Sequence, residues 1–172
     1  MKRICFHGAE STGKSVLAEK LAAELRLPWV PEYGREYAET FGTQFTLPDL
    51  LAIAEGHEAR VRQLEGQGAG LALLDTDPLM TAAWAEMLFG AVPPQLLAYP
   101  KADLYLLFEA DVPWIEDGTR FFGSTAERTR FAAVAEDMLV RTVVPYKRIG
   151  GTWAEREAQV RQVLAELQVP MR

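Results

Sequence analysis

The sequence predicts an α/β fold in which five parallel strands form one sheet with helices on both faces. With 49% hydrophobic and 24% charged residues, the 172-residue chain has the composition of an ordinary globular protein. Short apolar runs alternate with longer stretches of helical periodicity, which is the pattern of a buried parallel sheet. A glycine-rich motif joins the first apolar run to the first helical stretch. We expect residues 1–172 to form a single domain, because no repeat or linker divides them.

Five apolar runs predict the strands, and each run is short enough for a buried strand. They are Arg3 to Phe6, Trp29 to Val30, Leu71 to Leu74, Leu104 to Phe108 and Tyr146 to Ile149. Helices are predicted between them, where apolar residues recur every three or four positions. The clearest are residues 14–26 and the last stretch, which carries Val160, Val163, Leu164 and Leu167 on one face. Ligands bind beyond the carboxyl ends of the strands in such sheets, so residues that follow each strand are the functional candidates.

The charge and the cysteine content exclude several classes of protein. The net charge of -6 opposes attraction to nucleic acid or to an anionic membrane surface. Cys5 is the only cysteine, so no disulfide can form within the chain. The first residues lack the long apolar stretch of a signal peptide or a membrane span. We expect a cytoplasmic protein with small-molecule partners, no nucleic acid and no membrane, whose oligomeric state the sequence does not predict.

The strongest functional signal is GAESTGKS, which follows the first predicted strand and opens the first predicted helix. It matches the phosphate-binding loop GxxxxGKS, in which backbone N–H groups and the helix N-terminus surround a phosphate. We expect Lys14 to reach the outer phosphates of ATP and Ser15 to bind Mg²⁺. The predicted nucleotide contacts are Gly8, Glu10, Ser11, Thr12, Gly13, Lys14, Ser15 and Val16. Glu10 is unusual, because a carboxylate repels phosphate unless it points outward or holds a cation.

Two aspartates follow the third predicted strand. Asp75 ends the run LALLD, where a phosphate-loop protein holds its second Mg²⁺ contact, usually through water. Asp77 lies two residues later and precedes a proline, so both carboxylates are expected at the same crevice. The alternative for Asp77 is a helix cap or a turn.

The segment after the second predicted strand suits a polar acceptor. A kinase needs a carboxylate that orients or deprotonates the attacking hydroxyl, and Glu32 emerges at the carboxyl edge of the sheet. Tyr33, Arg35 and Tyr37 follow it closely. The alternative is a solvated loop that begins a helix. A guanine-specific switch protein is excluded in its usual form, because its Asn-Lys-x-Asp element needs asparagine and the chain has none.

A lid is predicted at residues 113–130, where arginines lie among glycines. Arg120 is the expected catalytic cation, because a guanidinium clamps phosphoryl oxygens and keeps its charge. For Arg130 we favour a solvated position on a helix. Trp153 follows the fifth predicted strand and is a candidate for the adenine site, with an equally good alternative as a packing residue of the last helix.

Together these segments resemble the ribosylnicotinamide kinase family, the kinase domain of NadR-type NAD salvage proteins. The resemblance rests on the phosphate loop and on EYGREY, DTDPLMT and PWIEDGTR. It implies a P-loop kinase fold and transfer of the ATP γ-phosphoryl group to the ribose 5′-hydroxyl of nicotinamide riboside, giving nicotinamide mononucleotide. We expect no nucleotidyltransferase or DNA-binding role like that of the larger members, because 172 residues leave no room for those domains.

By position and by this resemblance, Glu32 or Asp75 would orient the 5′-hydroxyl and Asp77 could bond the ribose hydroxyls. The pyridinium ring of the acceptor suits an acidic, aromatic crevice, with Trp114 as the stacking candidate. For Trp84 we favour packing, and His57 is given no role. Two alternatives stay open. One is another small-molecule or nucleoside kinase, and the other is a non-catalytic module that senses ATP.

Overall fold

The computed structural model describes residues 1–113, 115 and 121–167. Within them, five parallel strands form one sheet in the order β2-β3-β1-β4-β5. The strands are β1 (Lys2–His7), β2 (Trp29–Val30), β3 (Leu71–Asp75), β4 (Leu104–Phe108) and β5 (Tyr146–Ile149). The central strand β1 pairs with β3 on one side and with β4 on the other. The sheet therefore brings the chain that follows β1 and β3 to one edge.

Seven helices connect or flank these strands in the described part of the chain. They are α1 (Lys14–Leu25), α2 (Tyr33–Phe41), α3 (Leu47–Gly66), α4 (Pro78–Phe89), α5 (Pro94–Ala98), α6 (Thr125–Arg141) and α7 (Trp153–Glu166). The helices α3, α6 and α7 begin with capping boxes. In each, a Thr or Ser hydroxyl accepts the backbone N–H of the acidic residue three positions later, whose carboxylate accepts the backbone N–H of the Thr or Ser. The first residues of these three helices are therefore set by side chains adjacent in sequence.

The sheet is buried on both faces, as its apolar strands predict. On one face Ile4, Phe6 and Leu106 pack against α1 and α7. On the other face Cys5 and Tyr105 pack against residues of α3, α4 and α6. Alternate residues of each strand supply the two cores, because successive side chains point to opposite faces.

The predicted α/β fold is confirmed, and each strand agrees with its apolar run to within one residue at each end. The expected lid is only partly described, because residues 114 and 116–120 lie outside the described ranges. Its last residues, from Thr125 onward, form the first turns of α6. No helix in the described ranges combines the length and the apolar character that a membrane crossing needs.

Candidate functional site

A cavity of about 340 Å³ opens at the carboxyl edge of the sheet. One end is the phosphate loop that connects β1 to α1. Glu32 and Arg35, at the start of α2, also line the cavity. Apolar side chains close the other end, among them Phe45, Trp84 and Phe131. The cavity is therefore polar at the loop and aromatic at the far end.

The phosphate loop has the tight backbone that its glycines predict. Gly8 has a φ of 122°, and a Cβ there would lie 2.5 Å from the carbonyl oxygen of Phe108 on β4. Gly13 has a φ of 84° and immediately precedes α1. Ser11 also adopts a positive φ, of 57°. These conformations wrap the loop around the N-terminus of α1, where N–H groups attract anions.

Lys14 is buried at this helix start and is held by the loop itself. Its Nζ donates to the carbonyl oxygen of Ala9 at 2.6 Å and lies 3.3 Å from Oγ1 of Thr12. Both acceptors belong to the loop that would surround a phosphate. The ammonium group is thus positioned by the same backbone that forms the anion site, and its charge favours phosphate there.

Asp75 and Ser15 form the part of the site that fits a divalent cation. Asp75 is only 1% exposed, and the Ser15 hydroxyl donates a hydrogen bond to its carboxylate. Its Oδ1 is buried with no hydrogen-bond partner among the described residues. Such an orphaned oxygen is costly unless it has a ligand, and Mg²⁺ prefers carboxylate and hydroxyl oxygens with water completing its shell. The residues present therefore fit Mg²⁺.

Glu32 lies close enough to Asp75 for the two carboxylates to affect each other. Burial and the negative charge of Asp75 raise the pKa of Glu32 to about 7, against the opposing charges of Lys14 and Arg35. Burial also raises the pKa of Asp75, against the Ser15 hydrogen bond and the Lys14 charge. Glu32 precedes α2 but its side chain makes no capping hydrogen bond, so it stays available to the cavity. A carboxylate with a pKa near neutrality is suited to exchanging a proton.

Glu10 faces the cavity and also receives hydrogen bonds from a distant part of the chain. The backbone N–H of Phe121 lies 3.2 Å from both of its carboxylate oxygens, and the N–H of Phe122 lies 3.1 Å from Oε2. The Glu10 side chain therefore faces the cavity and does not point outward. The carboxylate is held by two backbone amides just before α6.

The aromatic end of the cavity contains residues that the sequence did not single out for function. Trp84 packs edge-to-face on Phe131, with ring centroids 5.2 Å apart, and lies 6.5 Å from Phe45 in the same geometry. All three line the cavity. The packing role that we favoured for Trp84 is real, but the ring also faces the open space. Only the tertiary contact of α4 with α6 and with the chain before α3 could reveal this.

Asp77 does not line the cavity and does not share a crevice with Asp75, which corrects the expectation for the pair. Its Oδ1 accepts the N–H of Leu79 as the cap of α4, and its Oδ2 accepts the Tyr105 hydroxyl at 2.5 Å. The cause is Thr76, whose φ of 70° interrupts the strand between the two aspartates. Residues two apart share a face only in extended chain, so the alternative of a helix cap is the one observed.

Tyr33 and Tyr37 lie beside the cavity without lining it, unlike our expectation. The Tyr33 ring packs on Gly56 of α3 and carries the Arg60 guanidinium 4.7 Å above its centroid. The Tyr37 hydroxyl donates to Asp49 at 2.7 Å. Tyr33 thus packs α2 against the middle of α3, and Tyr37 bonds α2 to the start of α3. Arg35, between them, does line the cavity.

Trp153 begins α7, and its ring lies against Gly13 of the phosphate loop. The side chain is 54% exposed, so one part of the ring is open to solvent beside the loop. Val16, on α1, lines the cavity and is also largely exposed. Trp153 is near enough to the loop for either of its expected roles, adenine contact or packing.

A residue that the sequence did not reveal holds this region together. Arg156 is fully buried and donates to the carbonyl oxygens of Thr12, Glu109 and Gly151 at 2.8–3.1 Å. It also pairs with Asp111. One guanidinium thus joins the phosphate loop to the ends of β4 and β5.

Two expected site residues, Trp114 and Arg120, lie outside the described residues, whereas Arg130 is exposed on α6 as expected.

The fold and this loop define a P-loop protein. The family model described as an AAA domain matches residues 3–156, and the chain belongs to that family. Over 156 residues it is 30% identical to the trifunctional NAD biosynthesis/regulator protein NadR of Escherichia coli. The matched region covers 87% of this chain and 38% of NadR. NadR of Salmonella typhimurium matches equally well. The chain thus spans well under half the length of these curated relatives.

Solved structures share the fold. A NadR structure in complex with NAD and AMP-PNP has a TM-score of 0.76 and 21% identity, covering 99% of this chain and 51% of that one. A NadR structure in complex with NR has a TM-score of 0.74 at the same identity, covering 99% and 53%. A deoxyadenosine kinase from M. mycoides has a TM-score of 0.66 and 10% identity, covering 95% and 99%. The predicted resemblance to NadR-type proteins is confirmed.

Proposed function

We propose that this protein transfers the γ-phosphoryl group of ATP to the ribose 5′-hydroxyl of nicotinamide riboside, giving nicotinamide mononucleotide. The observation that carries the proposal is that one cavity is lined by the phosphate loop, by Glu32 and by the aromatic side chains of Phe45, Trp84 and Phe131. A phosphate donor and a ring-bearing acceptor fit such a space in line. The similarity to NadR, which has been solved with AMP-PNP and with NR, supports this choice of ligands.

At the donor end, the loop amides and Lys14 would hold the triphosphate. Lys14 would exchange its hydrogen bond with the Ala9 carbonyl for one with a phosphate oxygen. Ser15 and Asp75 would hold Mg²⁺, which neutralises charge on the phosphates when bound. Phosphoryl transfer depends mainly on positioning and charge stabilisation, so these groups carry most of the rate. Arg120 remains our proposal for a further cation on the transferred group.

On the cavity wall, Glu32 would orient the attacking hydroxyl and accept its proton. The raised pKa makes Glu32 a stronger base than an ordinary glutamate once it is ionised. Arg35, with Nε 3.9 Å from Oε2 of Glu32, limits that shift and keeps the carboxylate oriented. Asp75, committed to Ser15 and the cation, is the weaker candidate for the base.

At the acceptor end, the rings of Phe45, Trp84 and Phe131 would surround the nicotinamide ring. A pyridinium cation gains from contact with aromatic faces and from the nearby carboxylate of Glu32. A neutral base would gain the apolar contact but little of the charge attraction. This difference favours nicotinamide riboside over an uncharged nucleoside.

The test is acceptor-dependent ADP release with ATP and Mg²⁺, using nicotinamide riboside, cytidine, uridine and deoxyadenosine in parallel. We expect the highest kcat/KM with nicotinamide riboside, and about a hundredfold slower acceptor-dependent release by Lys14→Ala. Turnover of a neutral nucleoside alone would replace the substrate assignment with another nucleoside kinase. ATP binding with no turnover of any acceptor would favour a nucleotide sensor.

A further inference from the structure

Glu10 places a negative charge inside the loop that receives a polyphosphate. It lines the cavity together with Lys14 and Ser15. At that position a carboxylate weakens phosphate binding, because like charges repel in a partly desolvated site. Because the Glu10 charge disfavours ATP binding, we looked for a role of Glu10 in binding the acceptor.

The described hydrogen bonds of Glu10 lead to the acceptor side of the cavity. Its two oxygens accept the backbone N–H groups of Phe121 and Phe122 at 3.1–3.2 Å. These bonds span more than a hundred residues of sequence and use an ionised acceptor, which is stronger than a neutral one. They fix the chain just before Ser124, the residue that caps α6.

The rings of Phe121 and Phe122 pack behind the aromatic side chains that line the cavity. The Phe121 ring stacks on Phe45 at 5.8 Å and meets the edge of Trp84 at 5.1 Å. The Phe122 ring lies 5.2 Å from Trp84 and 5.0 Å from Phe131. Each ring that lines the aromatic end therefore rests on a ring whose backbone Glu10 holds.

We propose that Glu10 is a positioning residue for the acceptor, acting through the backbone of Phe121 and Phe122. This inference rests on the proposed function for its kinetic consequences. The carboxylate sets the aromatic wall formed by Phe45, Trp84 and Phe131, and in exchange it weakens the hold on ATP. Its removal has effects of opposite sign on the two substrates, a pattern that general damage to the loop does not give.

The experiment compares Glu10→Gln and Glu10→Ala with Glu19→Gln, which removes the same charge from an exposed position on α1. For both Glu10 variants we expect the acceptor KM to rise about tenfold, as for loss of a charged hydrogen bond. We expect ATP to bind as tightly as in the wild type or more tightly. Glu19→Gln should change neither value. ATP affinity that falls together with acceptor affinity would overturn the proposal.

A second readout does not depend on turnover. Hydrogen exchange of the Phe121 and Phe122 amides should quicken at least tenfold in Glu10→Ala, with exchange in β1 unchanged. Unchanged exchange at these two amides would also overturn the proposal. If nicotinamide riboside is not a substrate, the KM comparison uses the best acceptor of the panel. Failure of the substrate assignment is thereby separated from failure of the Glu10 assignment.

Discussion

The indole ring of Trp153 lies directly against the Cα of Gly13, so that a Cβ at position 13 would overlap the ring. The contact joins the first turn of α7 to the last residue of the phosphate loop before α1. Buried Arg156, one turn further along α7, bonds the carbonyl oxygen of Thr12 in the same loop. The loop is therefore supported from α7 by a ring and a guanidinium.

Substitution of Gly13 by alanine should weaken ATP binding strongly. The new Cβ meets the Trp153 ring, and a φ of 84° strains any residue with a side chain. Titration calorimetry should show at least a hundredfold loss of affinity, about 3 kcal/mol. Gly66→Ala is the matched control, because Gly66 ends α3 with open space around its Cα and no positive φ. ATP binding retained by Gly13→Ala would contradict the described loop.

Replacement of Lys14 by alanine should lower kcat by about a hundredfold, roughly 3 kcal/mol in the transition state, because a charge-stabilising donor is lost. The control is Lys20→Ala on the same helix, where the ammonium group is half-exposed and pairs with Glu157. Its steady-state kinetics should match those of the wild type. Equal losses in both variants would mean that α1, rather than the phosphate contact, was damaged.

Activity should rise with pH through the pKa of Glu32. The carboxylate, with its pKa raised to about 7, accepts a proton only when ionised, so kcat/KM of the wild type should increase from pH 6 to pH 8 and then level. Glu32→Gln should be slower and lack this rise. Glu36→Gln, one turn along α2 and paired with Arg60 at the surface, should keep the wild-type profile. A rise that survives in Glu32→Gln would assign the base elsewhere.

The same titration has a consequence for stability. Folding raises the pKa of Glu32 from 4.5, so the folded state binds more protons than the unfolded state between pH 4.5 and about 7. Its contribution to stability therefore decreases as the pH rises through that window. Urea unfolding of the wild type and Glu32→Gln should show the variant gaining relative stability toward pH 8. A constant difference across the window would contradict the raised pKa.

Loss of the Trp84 ring should affect the acceptor rather than ATP. Trp84→Ala should raise the acceptor KM about tenfold with a smaller change in kcat, and Trp84→Phe should restore most of the loss. Phe89→Ala, at the exposed end of the same helix, is the control. An unchanged acceptor KM in Trp84→Ala would remove the aromatic end from the acceptor site.

Protonation of His57 should destabilise the fold at low pH. Burial and the charges of Arg60 and Arg3 lower its pKa from 6.5 to about 4, and its Nε2 has no partner among the described residues. Between these values the unfolded state binds the extra proton, so stability is lost as the pH falls, by roughly 3 kcal/mol. His57→Leu should lose less stability than the wild type from pH 6.5 to pH 4. Parallel unfolding curves would refute the shift.

Local patterns were sufficient for most of the fold. The apolar runs located all five strands, and GAESTGKS located the loop and the start of α1, because both depend on residues adjacent in sequence. Asp77 was misplaced because one backbone angle, at Thr76, decides its direction and no composition reveals that angle. The strand order, too, follows from contacts between distant segments.

The acceptor half of the site shows the same limit more clearly. Trp84 reaches the cavity only because α4 packs between α3 and α6, and Glu10 acquires its role from amides more than a hundred residues away. No sequence pattern singled out Arg156, yet it is fully buried against three carbonyl oxygens. Such roles arise from tertiary geometry, whereas the loop motif carries its geometry in its own residues.

The most direct measurement is phosphorus NMR of a reaction that contains the protein, ATP, Mg²⁺ and nicotinamide riboside. We expect a new phosphomonoester signal coupled to the two 5′ protons of the ribose, growing in step with ADP. Release of inorganic phosphate with ADP and no phosphomonoester, or an unchanged ATP spectrum beside turnover of a neutral nucleoside, would contradict it.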